Sequence, residues 1–452
     1  MAKSNEIDML HGPLFMKILL FTLPLAASSV LQQLFNSIDV AVVGHFASSQ
    51  ALAAVGSNAP VISLIINLFL GVSMGANVVI SNHIGQNDDK KIKQAVATAG
   101  MVAVVGGLLL MFIGVAVAKP ILTLMGTPPD VLPLAILYLR IYFLGMPFFM
   151  MFNFGSAILR SLGDTRRPLY ILVAAGIVNT VLNLIFVIVF HMGVAGVAIA
   201  TGIANMVSAM LIIRLLMMEK EPFRLHINNI KVKWAELKPM LMIGVPAGLQ
   251  GMVFSFSNVL VQSAINSHGA EAIAGSAAAQ NFEYYCYYVI AAFDGAAITF
   301  IGQNYGAGLK HRVMRIYWIC MAMSIVGSVV LNELFAWQSD FFLGFFSNDQ
   351  GVKAFGTIRM ETVLAFQFIA CSYEISASAL RGMGKSMLPT VLTIFGTCLL
   401  RIVWVYVVCP IWHSFDTIML VYPITWCTTG ILVCTAFYLT AKRRNYSANA
   451  IA

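Results

Sequence analysis

Four of the acids inside long apolar stretches stand out in a chain that is otherwise short of charge. Asp39 follows Asn36 and runs into Val40-Ala41-Val42-Val43. Glu283 and Asp294 bracket a segment carrying Tyr284, Tyr285, Tyr287 and Tyr288, and Glu374 lies in a later apolar run. A carboxylate in hydrocarbon is costly, and by default it marks an ion or substrate pathway. Asp39 has no basic neighbour in its own stretch, so it suits a carrier of a proton or a small cation. Positions 283, 287, 290 and 294 follow the helical period and put both acids and Tyr287 on one face. Carboxylates among aromatic rings suit a lipophilic organic cation, through charge pairing and cation–π contact. Each acid also has a plainer reading. Asp39 can face an aqueous vestibule and hydrogen-bond a neighbouring helix, while the later acids can pair with Arg401 or line a solvated inner cavity.

The composition says where these acids must be held. Of 452 residues, 59% are hydrophobic and 10% charged, against roughly 25% charged in a soluble domain. Mean hydropathy is +0.85. No soluble fold has the interior to hide that much apolar surface, and disordered chains have the opposite composition. The apolar runs far exceed the roughly 10-residue strands of a membrane barrel. The expected fold class is therefore an all-α polytopic membrane protein. Twelve spans are predicted: 15–43, 52–81, 95–118, 132–158, 169–190, 194–216, 240–265, 272–302, 314–336, 355–380, 388–410 and 417–440. No cleavable signal peptide is expected, because the first 17 residues are polar and the first apolar run is too long for one.

Placement of Lys and Arg tests the count. With a cytoplasmic N-terminus, 22 of the 27 basic residues fall on the inner side, from Lys3 and Lys17 through the Lys90-Lys91 and Arg166-Arg167 clusters to Lys442-Arg443-Arg444. Lys119, Arg140, Lys353 and Arg359 fall outside, and Arg401 is left inside a span. That bias accounts for the net charge of +8 without nucleic acid and places both termini in the cytoplasm of a plasma (inner) membrane protein. The seven cysteines all lie in the C-terminal half without a CxxC pair and read as packing residues. No phosphate-cradling loop, His/Cys metal cluster or nucleophile motif is present, so a transporter without a cofactor is expected rather than an enzyme.

The halves echo each other. Leu159-Arg160-x-x-Gly163-x4-Pro168 recurs as Leu380-Arg381-x-x-Gly384-x4-Pro389, and Ile84-Gly85-Gln86-Asn87 recurs as Ile301-Gly302-Gln303-Asn304. Pro24 and Asn36 recur as Pro246 and Asn258, both 222 positions on. Several matches in order, with offsets near 220, indicate duplication. An even six spans per half makes the repeats parallel, with a pseudo-two-fold axis along the membrane normal. The expected organisation is an N-lobe at 1–216, a basic cytoplasmic linker at 217–239 lying on the anionic inner surface, and a C-lobe at 240–452. The repeated Ile-Gly-Gln-Asn is expected to end spans two and eight. Pro24, Pro147 and Pro246 are expected to allow bending.

With these motifs assembled, the chain resembles the multidrug and toxic compound extrusion (MATE) family over nearly its whole length. The resemblance rests on the two six-span lobes, on Gln32-Gln33-Leu34-Phe35-Asn36-Ser37-Ile38-Asp39 with Val43-Gly44, on Ile84-Gly85-Gln86, on the repeated Leu-Arg-x-x-Gly-x4-Pro, and on Asn179-x-x-x-Asn183. It implies a cation-coupled efflux transporter whose N-lobe acid, Asp39, takes up the coupling cation beside Asn36, Asn179, Asn183 and Thr201. Many members carry Asp where this chain has Asn183, which removes one anionic ligand for Na⁺. Some carry an acid in span seven, and here there is none. Independently of the family, a rise of about 1.5 Å per residue puts Asp39, Asn183 and Thr201 at roughly 8 to 10 Å from the outer boundary. Glu283, Asp294, Glu374, Tyr287, Asn153 and Asn258 are the candidates for substrate or a C-lobe cation.

The expected activity is export of an organic, cationic and amphipathic compound in exchange for H⁺ or Na⁺ by alternating access. The bilayer and a small-molecule substrate are the expected partners, without nucleic acid, and a monomer is expected. A flippase or exporter of lipid-linked or other endogenous metabolites is the alternative. It calls for a cavity lined with Arg and Lys, and only Arg401 stands out inside a span.

Overall fold

A computed structural model describes residues 6–226 and 231–443. Lys3, Arg444 and part of the linker, 227–230, lie outside the described residues. No strand occurs among the described residues. Among the described residues, eleven helices are long and apolar enough to cross a membrane: Leu14–Phe46, Gln50–Gly85, Asp89–Leu124, Arg166–Val189, Gly193–Met217, Trp234–Asn266, Ala270–Gly306, Lys310–Trp337, Gln350–Gly382, Met387–Val408 and Phe415–Arg443. The twelfth, fourth in order, is the pair Leu132–Leu144 and Met146–Ser161, bent by 46°. All twelve expected spans are thus present, and they are numbered one to twelve in chain order below.

The bend in span four falls just before Pro147, which lacks the N–H to continue the ladder and sits in the first turn of the second piece. Pro24 and Pro246 lie inside helices that continue through them. Spans five, ten and eleven depart from α geometry, span ten through a π-helical turn at Met360–Leu364 and a 3-10 turn at Gln367–Ile369. Span five ends in a π-helical turn, Ile185–Val189, and span eleven carries two, Ile394–Leu399 and Trp404–Val408.

The repeated Leu-Arg-x-x-Gly is a helix stop. Gly163 N–H donates to Arg160 O at 2.9 Å and Asp164 N–H to Leu159 O at 3.0 Å. In the second copy Gly384 N–H donates to Arg381 O and Lys385 N–H to Leu380 O, both at 2.8 Å. Paired bonds of this kind need a left-handed residue after the helix, and Gly163 and Gly384 supply it at φ +91° and +77°. The Ile-Gly-Gln-Asn copies behave differently, and that expectation is corrected. Span two does stop there, with Asn87 at φ 55°. Span eight runs through its copy to Gly306 and turns at Gly308, φ +72°. The Asn304 side chain donates instead to Met9 O at 3.0 Å.

The chain divides into two compact units. The first is built on Ala27–Gly248, with the segment ahead of Met9. The second is built on Met9–Ala26 and Leu249–Ala452. The breaks fall inside spans one and seven, at Ala26 and Gly248, which are 222 positions apart. Contacts within each unit explain the division. In the first, a Cβ on Gly71 would stand 2.4 Å from Gly244 O, and one on Gly75 would stand 2.2 Å from Met240 O. Small residues at i and i+4 on both helices let backbones touch, so the start of span seven is fixed to span two. In the second, Phe21 packs edge-on against Phe300 at 5.4 Å, and Arg312 donates to Asn304 Oδ1 at 3.0 Å and to Met9 O at 3.3 Å. The described part of the linker is docked on the first unit. Leu225 is buried and bonds Leu216 O at 3.0 Å, and Lys233 N–H donates to Thr98 Oγ1 at 3.1 Å.

Candidate functional site

In the first unit, spans one and five touch at Phe35 and Gly176, where a Cβ would lie 1.9 Å from the Phe35 ring. Both helices run the same way through the expected topology. One turn beyond Phe35 comes Asp39, and one and two turns beyond Gly176 come Asn179 and Asn183. The close approach brings these side chains together. Asn183 Nδ2 donates to Asp39 Oδ1 and to Asn179 Oδ1 at 3.2 Å. Asn179 Nδ2 donates to Thr201 Oγ1 at 3.2 Å. The Thr201 hydroxyl has Val197 O at 3.0 Å and Asp39 Oδ2 at 3.4 Å within reach of its one proton. Asn179 and Asn183 are buried, and Asp39 and Thr201 half-buried.

Four of the five residues named from sequence therefore form one hydrogen-bonded set. Asn36 is exposed and takes no part in it. No basic side chain pairs with Asp39 among the described residues. Asn183 Oδ1 is buried without a hydrogen-bond partner. The set thus offers a carboxylate, an unused amide carbonyl and a hydroxyl, all hard oxygens suited to a proton or a small hard cation. Sequence reasoning missed Tyr138 and Tyr142, which stack at 6.0 Å and lie within electrostatic range of Asp39. Their i, i+4 spacing in span four was the available signal.

The acids of the second unit separate into two groups. Glu283 holds Arg359 at both oxygens, from Nε at 2.6 Å and from Nη2 at 2.9 Å, and Arg359 Nη1 donates to Ser276 Oγ at 2.6 Å. The guanidinium is 1% exposed. This corrects two expectations. The partner of Glu283 is Arg359, not Arg401, and Arg359 is not an outer-side charge but part of span ten. A charged side chain in that position is stable only when paired, and Glu283 lies where span eight meets span ten. A full ion pair is closed on itself and leaves Glu283 no free oxygen charge for a substrate.

Asp294 and Glu374 form the second group. Asp294 accepts from Ser378 Oγ, and Tyr287 donates to Glu374 Oε1 at 3.3 Å. Both carboxylates lie within electrostatic range of Arg381, whose Nη2 donates to Gln250 Oε1 at 2.8 Å. The shared face of span eight thus splits. Tyr287 and Asp294 go with Glu374, and Glu283 does not. Asn153 donates to Phe149 O at 2.8 Å, within its own helix. Asn258 accepts from Arg401 Nη1 at 2.5 Å.

Comparison with known proteins agrees with this architecture. The family model MatE matches residues 24–185 and again 246–407. A probable multidrug resistance protein of Bacillus subtilis (strain 168), YpnP, is 31% identical over 312 residues, 68% of each chain. The probable multidrug resistance protein NorM of Thermotoga maritima is 26% identical over 383 residues, 83% of this chain and 82% of that one. The multidrug export protein MepA of Staphylococcus aureus (strain NCTC 8325 / PS 47) is 21% identical over 85% of each. A crystal structure of MATE in the bent conformation superposes with a TM-score of 0.91 at 19% identity, covering 99% of this chain and 100% of that one. An outward-facing multidrug resistance MATE family transporter gives 0.90 at 20%, with the same coverage. The same family model matches the chain twice, once in each half, and a relative above 30% identity spans two thirds of it. The chain therefore belongs to the MatE family of multidrug efflux transporters, which are not enzymes.

Proposed function

We propose that this protein is an antiporter that exports organic, cationic, amphipathic compounds, driven by inward movement of H⁺ or Na⁺ through Asp39. The observation that carries this reading is the Asp39 carboxylate, met by side chains from spans five and six, with no basic partner and with Asn183 Oδ1 unused beside it. A charge left uncompensated in a membrane segment is expensive, and an incoming cation removes that cost. Loading and unloading the cation then changes which arrangement of the spans is favoured, by as much as its affinity differs between arrangements. Asp294, Glu374 and Tyr287 are the proposed contacts for the organic cation. The protein is proposed to work as a monomer in the plasma (inner) membrane with both termini cytoplasmic.

The test is efflux of a fluorescent lipophilic cation from proteoliposomes, with pH and Na⁺ gradients imposed separately, for wild type and Asp39→Asn. The expected outcome is transport driven by one gradient and reduced at least about tenfold in Asp39→Asn. Transport that survives in the variant would move coupling to Asp294 or Glu374. No gradient-driven transport of any cation would favour the alternative, a flippase or exporter of anionic endogenous compounds. Arg359 and Arg401, both buried in spans of the second unit, speak for that alternative. The neutralisation of Arg359 by Glu283 leaves it second.

A further inference from the structure

Arg401 is a buried charge of the second unit that the proposed transport does not use. It is fully buried in span eleven, at 0% exposure. Nη1 donates to Asn258, and Nε and Nη2 have no hydrogen-bond partner. No carboxylate pairs with it among the described residues. Its guanidinium lies over the rings of Phe254 at 4.9 Å and Tyr422 at 4.7 Å. Tyr422 also carries Arg359 at 5.4 Å, so two guanidiniums share one ring, and of the two Arg359 alone is paired with a carboxylate, Glu283. The pocket is one positive charge in excess. A buried guanidinium with idle donors costs several kcal/mol unless an anion completes it.

A row of buried hydroxyl side chains precedes Arg401 along the chain. Ser386, just ahead of span eleven, and Thr390, Thr393, Thr397 and Arg401 within it recur at intervals of three or four, and all are buried. The hydroxyls of Ser386, Thr390 and Thr393 have no hydrogen-bond partner, and Thr397 pairs with Thr429 at 2.8 Å. Over 15 residues this polar row reaches about 22 Å. The helix is π-helical on both sides of Arg401, a distortion frequent at functional sites.

We propose that Arg401 is an anion-binding site inside the second unit. Its ligand is a carboxylate or small inorganic oxyanion. Nε and Nη2 hold it as a fork, the Asn258 amide NH₂ supports it, and it is reached along the hydroxyl row from the Ser386 end. The site does not depend on cation coupling at Asp39.

The test uses full-length protein in phosphatidylcholine nanodiscs, with sodium chloride, whose anion is neither a carboxylate nor an oxyanion, exchanged for sodium acetate or nitrate at constant ionic strength. Trp404, three residues past Arg401, and Trp426, whose ring is 5.9 Å from Tyr422, report by fluorescence. A saturable change is expected with acetate and nitrate in wild type, and none in Arg401→Gln. Asn258→Asp sets a carboxylate against the guanidinium and is expected to weaken the response at least about tenfold while sparing the fold. It keeps the test alive if Arg401→Gln does not fold. Competition by phosphatidylglycerol against acetate would mean that lipid phosphate supplies the same anionic chemistry. The proposal is overturned if wild type shows no anion-specific change, meaning water alone fills the site. It is also overturned if either folded variant responds as wild type does.

Discussion

The two halves put opposite charges at matching places. In the first unit a carboxylate from span one meets side chains of spans five and six, with no cation beside it. In the second a guanidinium from span eleven meets Asn258 of span seven and Tyr422 of span twelve, with no anion beside it. Asn258 is the counterpart of Asn36 at the offset of 222, and at the same offset Arg401 falls on Asn179. The position matching Asp39 is Val261, which is buried and apolar. A duplicated scaffold has therefore kept its Leu-Arg-x-x-Gly helix stop while the sign of the polar centre has inverted. Helix stops depend on backbone geometry, which duplication preserves. A buried charge depends on single side chains, which it need not.

A sharper contrast runs between charges that are closed and charges that are open. Arg359 and Glu283 satisfy each other, whereas Asp39 and Arg401 find no partner of opposite charge among the described residues. Glu283→Gln should strand Arg359 and lower stability by about 3–5 kcal/mol, read as a large fall in melting temperature in detergent. Replacing both, Arg359→Met with Glu283→Met, should recover most of that loss. Asp39→Asn strands nothing, so its stability should stay within about 1 kcal/mol of wild type while gradient-driven transport is lost. Equal destabilisation by Glu283→Gln and Asp39→Asn would erase the distinction and make Asp39 a structural group.

Gly176→Ala probes how the open site is positioned. The new Cβ would overlap the Phe35 ring, and overpacking of this kind costs about 1–3 kcal/mol. Because Asp39 lies one turn beyond Phe35, coupling should weaken more than stability does. Gly396, in the matching region of span eleven, would meet Thr429 Oγ1 at 2.6 Å. Gly396→Ala should leave ion coupling in the first unit unchanged, and a change of similar size there would remove the separation between the two centres.

Much of the fold was legible because a bilayer allows few solutions. All twelve spans could be read from apolar length alone. The Asp39, Asn179, Asn183 and Thr201 set was implied by the family resemblance, and depth along a helix, which follows from residue number, put Asp39, Asn183 and Thr201 at one level. What sequence could not give was which face of a helix meets which neighbour. Glu283 and Asp294 share a helical face, yet one meets span ten at Arg359 and the other at Ser378, a difference set by packing. Arg359 was assigned to the outer side because it stands near the start of its span, and only its partner shows that it is buried. The unit boundaries at Ala26 and Gly248 were hidden because the chain there is continuous helix, and only the glycine and Asn304 contacts reveal the exchange.

The smallest expected effect falls on Thr201. Its hydroxyl accepts from Asn179 and reaches both Val197 O and Asp39 Oδ2. Thr201→Val keeps the shape and removes those bonds, for about 0.5–1.5 kcal/mol of stability. A proton held on Asp39 needs no third oxygen, while Na⁺ is bound through several oxygens, as hard cations are. Proton-driven efflux should therefore be nearly unchanged in Thr201→Val, and Na⁺-driven efflux should need roughly tenfold more Na⁺ if each lost ligand oxygen is worth about 1.4 kcal/mol. Measured side by side under the two gradients, this variant separates the two ions without neutralising Asp39. Equal losses under both gradients would mean that Thr201 orients the carboxylate and does not contact the ion.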